Sequence, residues 1–233
     1  MTINDVVIAV MARAPSADGK TRLLGALGVA DGEPLRRALL LDTLETVARV
    51  DGASRVILYA PDGAAEEFRR LMPLASHLIP QRQGDLGQRL AGAFDDLRAL
   101  GFGAAAILGS DLPTLPASYL ALAVDRLRQD DGQGVIGPAA DGGYYLIGLT
   151  QAPPGLFAGM PWGTDRVLRL TRDRAASLGL DLVVLPEWHD VDVPEDLARV
   201  FRHAGRGLAG LTARHTRAWV DSAPPNIRAR LRV

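Results

Sequence analysis

The chain contains no cysteine, which excludes disulfides and thiolate metal sites and fits a reducing compartment. It has no charge excess either. The 26 Lys and Arg residues against 27 Asp and Glu leave a formal net charge of −1, so no global field points to nucleic acid. No apolar run approaches the roughly 20 residues that span a bilayer. The N-terminal Met1-Thr-Ile-Asn-Asp5 has no basic region, and the apolar stretch 6–11 is too short for a secretory signal. These absences lead to the expectation of a cytoplasmic protein with no nucleic-acid or membrane partner. The Gly-x4-Gly-Lys-Ser/Thr loop is missing, so the P-loop class is excluded. No internal repeat or low-complexity linker divides the chain.

What is present is an ordinary soluble composition, 48% hydrophobic and 23% charged, on 233 residues that can bury a substantial core. Strands are expected over 6–11, 55–60, 76–80, 104–108, 134–138, 144–149 and 182–185. Helices are expected over 34–50, 64–72, 86–100, 116–129, 164–178 and 194–204, with a loop over 13–24. Strands alternating with helices imply an α/β class: a three-layer α/β/α sandwich on a mainly parallel, mixed sheet. The pair flanking Asp141-Gly142-Gly143 is joined too tightly for a right-handed crossover, so it is expected to be antiparallel. Residues 1–203 would form the domain proper and 204–233 a helical appendage. Towards that end Arg202, Arg206, Arg214, Arg217, Arg228, Arg230 and Arg232 meet one carboxylate, Asp221. A solvated appendage packing through Leu208, Leu211 and Trp219 is the preferred reading; contact with a partner subunit or an anionic ligand is the alternative.

Five segments can carry chemistry. Residues 12–22, from Ala12 and Arg13 to Lys20 and Arg22, follow the first strand, where open α/β sheets form their ligand crevice. Lys20 and Arg22 can neutralise phosphate oxygens, although a plain basic surface loop has the same composition. In Gly109-Ser110-Asp111 a lone carboxylate leaves a buried strand, which suits a hard cation shared with phosphates. Capping the helix near Pro116 is the alternative, but the gap is long for a cap. Asp141-Gly142-Gly143-Tyr144 reads as a hairpin turn that can also present Asp141 as a base or an acceptor-orienting group. Trp162 offers a flat face, and Thr164 a cap for the next helix. In 189–196, Asp190 and Asp192 share a face if extended, and one of them could complete a metal site with Asp111. Glu195 and Asp196 fit the first turn of a helix, and His189 beside Trp188 fits a structural role.

These segments resemble the signature of a bacterial group within the nucleotide-diphospho-sugar transferase superfamily. The residues that carry the resemblance are Lys20-Thr-Arg22, Gly109-Ser-Asp-Leu-Pro113, the run from Gly137 to Gly148, Pro161-Trp-Gly-Thr-Asp165 and Asp190-Val-Asp-Val-Pro-Glu-Asp-Leu197. Members of that group are usually labelled glycosyltransferases of the GT-A fold, some linked to arsenosugar biosynthesis. The resemblance implies a Rossmann-like GT-A fold with a nucleotide half containing Ala12, Arg13, Lys20, Arg22 and Ser110. It implies an acceptor half containing Gly142, Gly143, Tyr144, Trp162 and Thr164, with Asp111 and Asp141 catalytic. Mg²⁺ or Mn²⁺ would be held by Asp111 and Asp192. There is one departure: the Asp-x-Asp motif common in glycosyltransferases is absent, and Gly109 stands where its first carboxylate would fall. A single aspartate there is closer to the molybdenum-cofactor and 2-phospholactate guanylyltransferases. The expected partners are therefore a nucleotide sugar or an NTP and a small-molecule acceptor. Glycosyl transfer is the leading expectation, nucleotidyl transfer to a phosphorylated small molecule the second, and a non-catalytic nucleotide-binding protein the third.

Overall fold

The computed structural model describes residues 5–71, 77–129, 133–204 and 213–231. Its first half runs β1 (Val6–Arg13), α1 (Thr21–Leu27), α2 (Glu33–Ala48), β2 (Ser54–Ala60), α3 (Ala65–Leu71), β3 (His77–Pro80), α4 (Leu86–Ala99) and β4 (Ala104–Gly109). It continues with α5 (Ala117–Arg128), β5 (Gly134–Pro138), β6 (Tyr144–Leu149), α6 (Val167–Ser177), β7 (Leu182–Val184), α7 (Pro194–Ala204), α8 (Arg214–Ser222) and α9 (Pro225–Leu231).

Seven strands form one sheet in the order β3-β2-β1-β4-β6-β5-β7. All neighbours pair in parallel except β6, which runs antiparallel between β4 and β5. This is the antiparallel element expected around Asp141. It places the start of β6 at the edge where β1, β4 and β5 end, so four loops converge there.

The alternation of β1 explains the layers. Val6, Ile8 and Val10 join a core with Leu40 and Leu44 of α2 and Leu120 and Val124 of α5. Val7 and Ala9 face the opposite way, onto Leu90, Phe94 and Leu97 of α4. The result is the expected three-layer α/β/α architecture. A third core lies beyond the sheet, where Leu23 and Leu27 of α1 meet Leu197 of α7, Val220 of α8 and Ile227 of α9. Among the described residues, no helix is long and apolar enough to cross a membrane.

Two local differences bear on the site. β1 runs two residues beyond 11 because Ala12 and Arg13 continue the ladder opposite Tyr59 and Ala60. The expected loop over 13–24 is interrupted by α1, which ends at Gly28 in the left-handed conformation (φ 68°). At the C-terminal end, Trp219 packs against the third core as expected. Some of the arginines there serve as ties: Arg214 and His215 bond Glu45 of α2, and Arg230 donates to Ala26 O at 3.0 Å. Met72, Ser76, Arg206, Leu208, Leu211 and Arg232 lie outside the described residues.

Candidate functional site

Lys20 stands at the N-terminal boundary of α1 with φ 55° and ψ 36°, a left-handed conformation that a residue with a side chain adopts at a cost of about 1–2 kcal/mol. Its loop is held by Arg36 of α2, which donates to Pro15 O (2.9 Å) and Gly19 O (3.3 Å). So positioned, the Lys20 ammonium is hydrogen-bonded to Asp111 and lies 2.6 Å from Asp192 Oδ1. Burial works against the lysine's charge, but attraction and hydrogen bonding to the two carboxylates outweigh it and raise its pKa.

Asp111 sits where β4 gives way to a loop. Leu112 N donates to Thr43 Oγ1 on α2 at 3.0 Å, and Asp111 O accepts from Val191 N at 3.1 Å, which ties the loop to the 190–193 segment. Asp111 is no helix cap: α5 begins after Pro116 without a side-chain cap bond. A Cβ on Gly109 would lie 3.0 Å from Asp111 Oδ1, so a larger residue there would crowd the carboxylate.

The third carboxylate arrives along β5. Residues after β7 continue beside that strand, with Trp188 N donating to Pro138 O and Ala140 N to Trp188 O, both at 3.0 Å. His189 stacks on Trp188 with ring centroids 5.0 Å apart. Asp196 of α7 accepts from Asp192 N and Val193 N, each at 3.1 Å, and so fixes the turn. As a result Asp111, Asp190 and Asp192 bring oxygens within 4.8 Å of one another. Burial, with the Asp111 carboxylate next, pushes the Asp190 carboxyl up to about 7. An all-oxygen donor set that already holds one cation, the lysine ammonium, fits a hard divalent ion.

Two cavities meet around Asp111. The first, about 370 Å³, is lined by Ala12, Arg13, Lys20, Ser110 and Asp111, and also by Arg36 and Arg89. Arg89 comes from α4 and was not singled out in the sequence. Its Nε is buried without a hydrogen-bond partner among the described residues. Burial and the nearby positive charge of Arg13 lower its pKa. Two guanidiniums kept close in a cavity favour an anion between them. The second cavity, about 250 Å³, is lined by Asp111, Asp141, Asp190, Tyr144, Trp162 and Thr164.

Most of the expected site residues are therefore brought together, and two are not. Arg22 is exposed on the first turn of α1 and lines neither cavity. Gly142 lies behind the turn: its φ is 87°, and a Cβ there would stand 2.3 Å from Asp165 O. Gly143 lines the second cavity and donates from N to Asp141 Oδ1 at 2.9 Å. Thr164 does not cap α6, since its hydroxyl donates to Pro161 O at 2.8 Å and the helix starts three residues later.

No curated protein matches the chain. Among solved structures, a Desulfovibrio desulfuricans G20 protein provisionally named a nucleotide-diphospho-sugar transferase is 28% identical, with a TM-score of 0.83 and 97% of each chain covered. A cytidylyltransferase from Leptospira borgpetersenii serovar Hardjo-bovis is 16% identical, with a TM-score of 0.54 over 95% of this chain and 96% of that one. A Methanothermobacter nucleotidyl transferase is also 16% identical, with a TM-score of 0.55 over 86% and 98%. These last two share the fold only. A family model described as an uncharacterized protein conserved in bacteria, DUF2064, matches residues 43–164, just over half of the chain. The chain, with its mixed seven-stranded sheet and its acidic cluster at the strand ends, thus belongs to the bacterial DUF2064 family and has the fold seen in nucleotide-diphospho-sugar transferases.

Proposed function

We propose that the protein is a metal-dependent glycosyltransferase with a nucleotide-activated sugar as donor, in the group that includes the arsenosugar-type enzymes. The observation that carries this reading is the junction at Asp111, where a cavity with four basic side chains meets an acidic, aromatic-lined one across three clustered carboxylates. In this reading Arg13, Lys20 and Arg89 grip the donor diphosphate, and Ser110 lies beside it. Asp111, Asp190 and Asp192 hold Mg²⁺ or Mn²⁺, which supplies charge neutralisation for the leaving group. The acceptor hydroxyl oxygen bonds to the anomeric carbon as the bond from that carbon to the diphosphate oxygen breaks. The electron pair leaves with the nucleoside diphosphate, and Asp141 takes the hydroxyl proton.

Nucleotidyl transfer is the second reading, and it is favoured by Gly109 in place of the first carboxylate of Asp-x-Asp. Product analysis separates the two: a nucleoside diphosphate marks glycosyl transfer and pyrophosphate marks nucleotidyl transfer. Nucleotide binding with neither product would support the non-catalytic reading. With the active donor in hand, Asp111→Asn is expected to lower turnover by about 10²–10³-fold, the usual effect of losing one transition-state charge contact. Wild-type turnover in an Asp111→Asn protein of unchanged melting temperature would remove Asp111 from the mechanism.

A further inference from the structure

The two cavities share Leu86, Gly109, Asp111, Tyr144 and Tyr145 but differ in the sign of what surrounds that junction. Arg13, Lys20, Arg36 and Arg89 line the first, against two carboxylates, Asp18 and the shared Asp111. Among the described residues lining the second, the charged side chains are Asp111, Asp141 and Asp190, with no Lys or Arg. Lys20 offsets Asp111, and a cation shared by the cluster would offset Asp190. Asp141 has no such compensation. It is exposed, on the hairpin between β5 and β6, and its carboxylate accepts one hydrogen bond, from the neighbouring Gly143 N. Tyr144 and Trp162 line the same cavity, their rings packed edge-to-face with centroids 6.3 Å apart.

We propose that the acceptor entering the second cavity is a hydroxyl-bearing small molecule, uncharged or cationic at the end that enters, and not a phosphomonoester. The inference rests on the donor diphosphate occupying the first cavity. A phosphate brought beside Asp141 would lose hydration, meet a like charge and find no guanidinium or ammonium in return. A hydroxyl or ammonium group instead donates to that carboxylate, while the carbon skeleton lies against the aromatic rings.

Calorimetry in two stages tests this. UDP, GDP and CDP are titrated first in the presence of Mg²⁺; absence of nucleotide binding overturns the donor reading. Glycerol 3-phosphate is then titrated as a phosphomonoester probe into wild type, Asp141→Asn and Asp141→Arg, each saturated with the tightest nucleotide. The expected result is no saturable binding to wild type and a gain of about tenfold or more in Asp141→Arg, with a smaller gain in the shape-conserving Asp141→Asn. Saturable binding to the nucleotide-loaded wild type, or equal affinity in all three proteins, overturns the proposal.

Discussion

Asp190 shows how a single side chain can couple the site to pH. Its carboxyl titrates near 7 in the fold against an ordinary 3.8, mainly through burial and secondarily through Asp111. Between those values the folded chain keeps a proton that the unfolded chain has released, so stability falls as pH rises through this window. Above it the full penalty applies. Asp190→Asn removes the penalty, so with chelator present the variant should melt higher than wild type at pH 8 and at the same temperature near pH 4. For a chain of this size each kcal/mol moves the midpoint by about 2–4 °C. An equal gain at both pH values would show that Asp190 is not the group that titrates. Asp111, Asp192 and Lys20 were readable as candidates because they sit at strand ends or beside glycine and proline. Arg36 and Arg89 were not, since both lie on helices where packing alone decides which way an arginine points. Arg22 is exposed within α1 and lines neither cavity, whereas Lys20, at the helix boundary in a left-handed conformation, reaches Asp111.

Among the elements, β5, β6 and α7 have the bounds their sequence patterns imply, because each is a strong apolar run or an acidic-capped amphipathic stretch. The helix α1 was hidden. It has seven residues, no side-chain cap and a left-handed lysine at its start, and its apolar side is satisfied by α7, α8 and α9, which are remote in sequence. The β5–β6 hairpin is the element that aims Asp141, and its geometry depends on Gly142. A methyl group there would meet Asp165 O at 2.3 Å in a backbone region that favours glycine. Gly142→Ala should therefore destabilise the protein by about 1–3 kcal/mol and lower turnover beyond the loss of folded protein. A chemical denaturation curve and a rate normalised to folded fraction give the two numbers. A normalised rate equal to that of wild type would mean that the hairpin does not position a reacting group.

For the molecule as a whole, the near-zero net charge conceals a division of sign between neighbouring cavities that composition cannot express. The sheet order was equally invisible: placing β6 between β4 and β5 requires pairings across some 40 residues, and strand patterns specify faces rather than neighbours. The C-terminal helices are likewise bound in by a buried residue of α2. Asp42 accepts from His215 N, Thr216 N and Thr216 Oγ1 at 2.9, 2.8 and 2.6 Å, and so supplies the cap that α8 lacks. Lys20 is the only lysine in the sequence. Its ion pairs thus make the candidate centre the one place where an amine-selective reagent can modify a side chain. Reductive methylation with ¹³C-formaldehyde should give two resonances, one from the α-amino group and one from Lys20. The second is expected to be slow to form and to shift on addition of Mg²⁺ and nucleotide. A lysine that reacts as fast as a free amine, with a resonance indifferent to both ligands, would mean that the ammonium is not held by the carboxylates in solution.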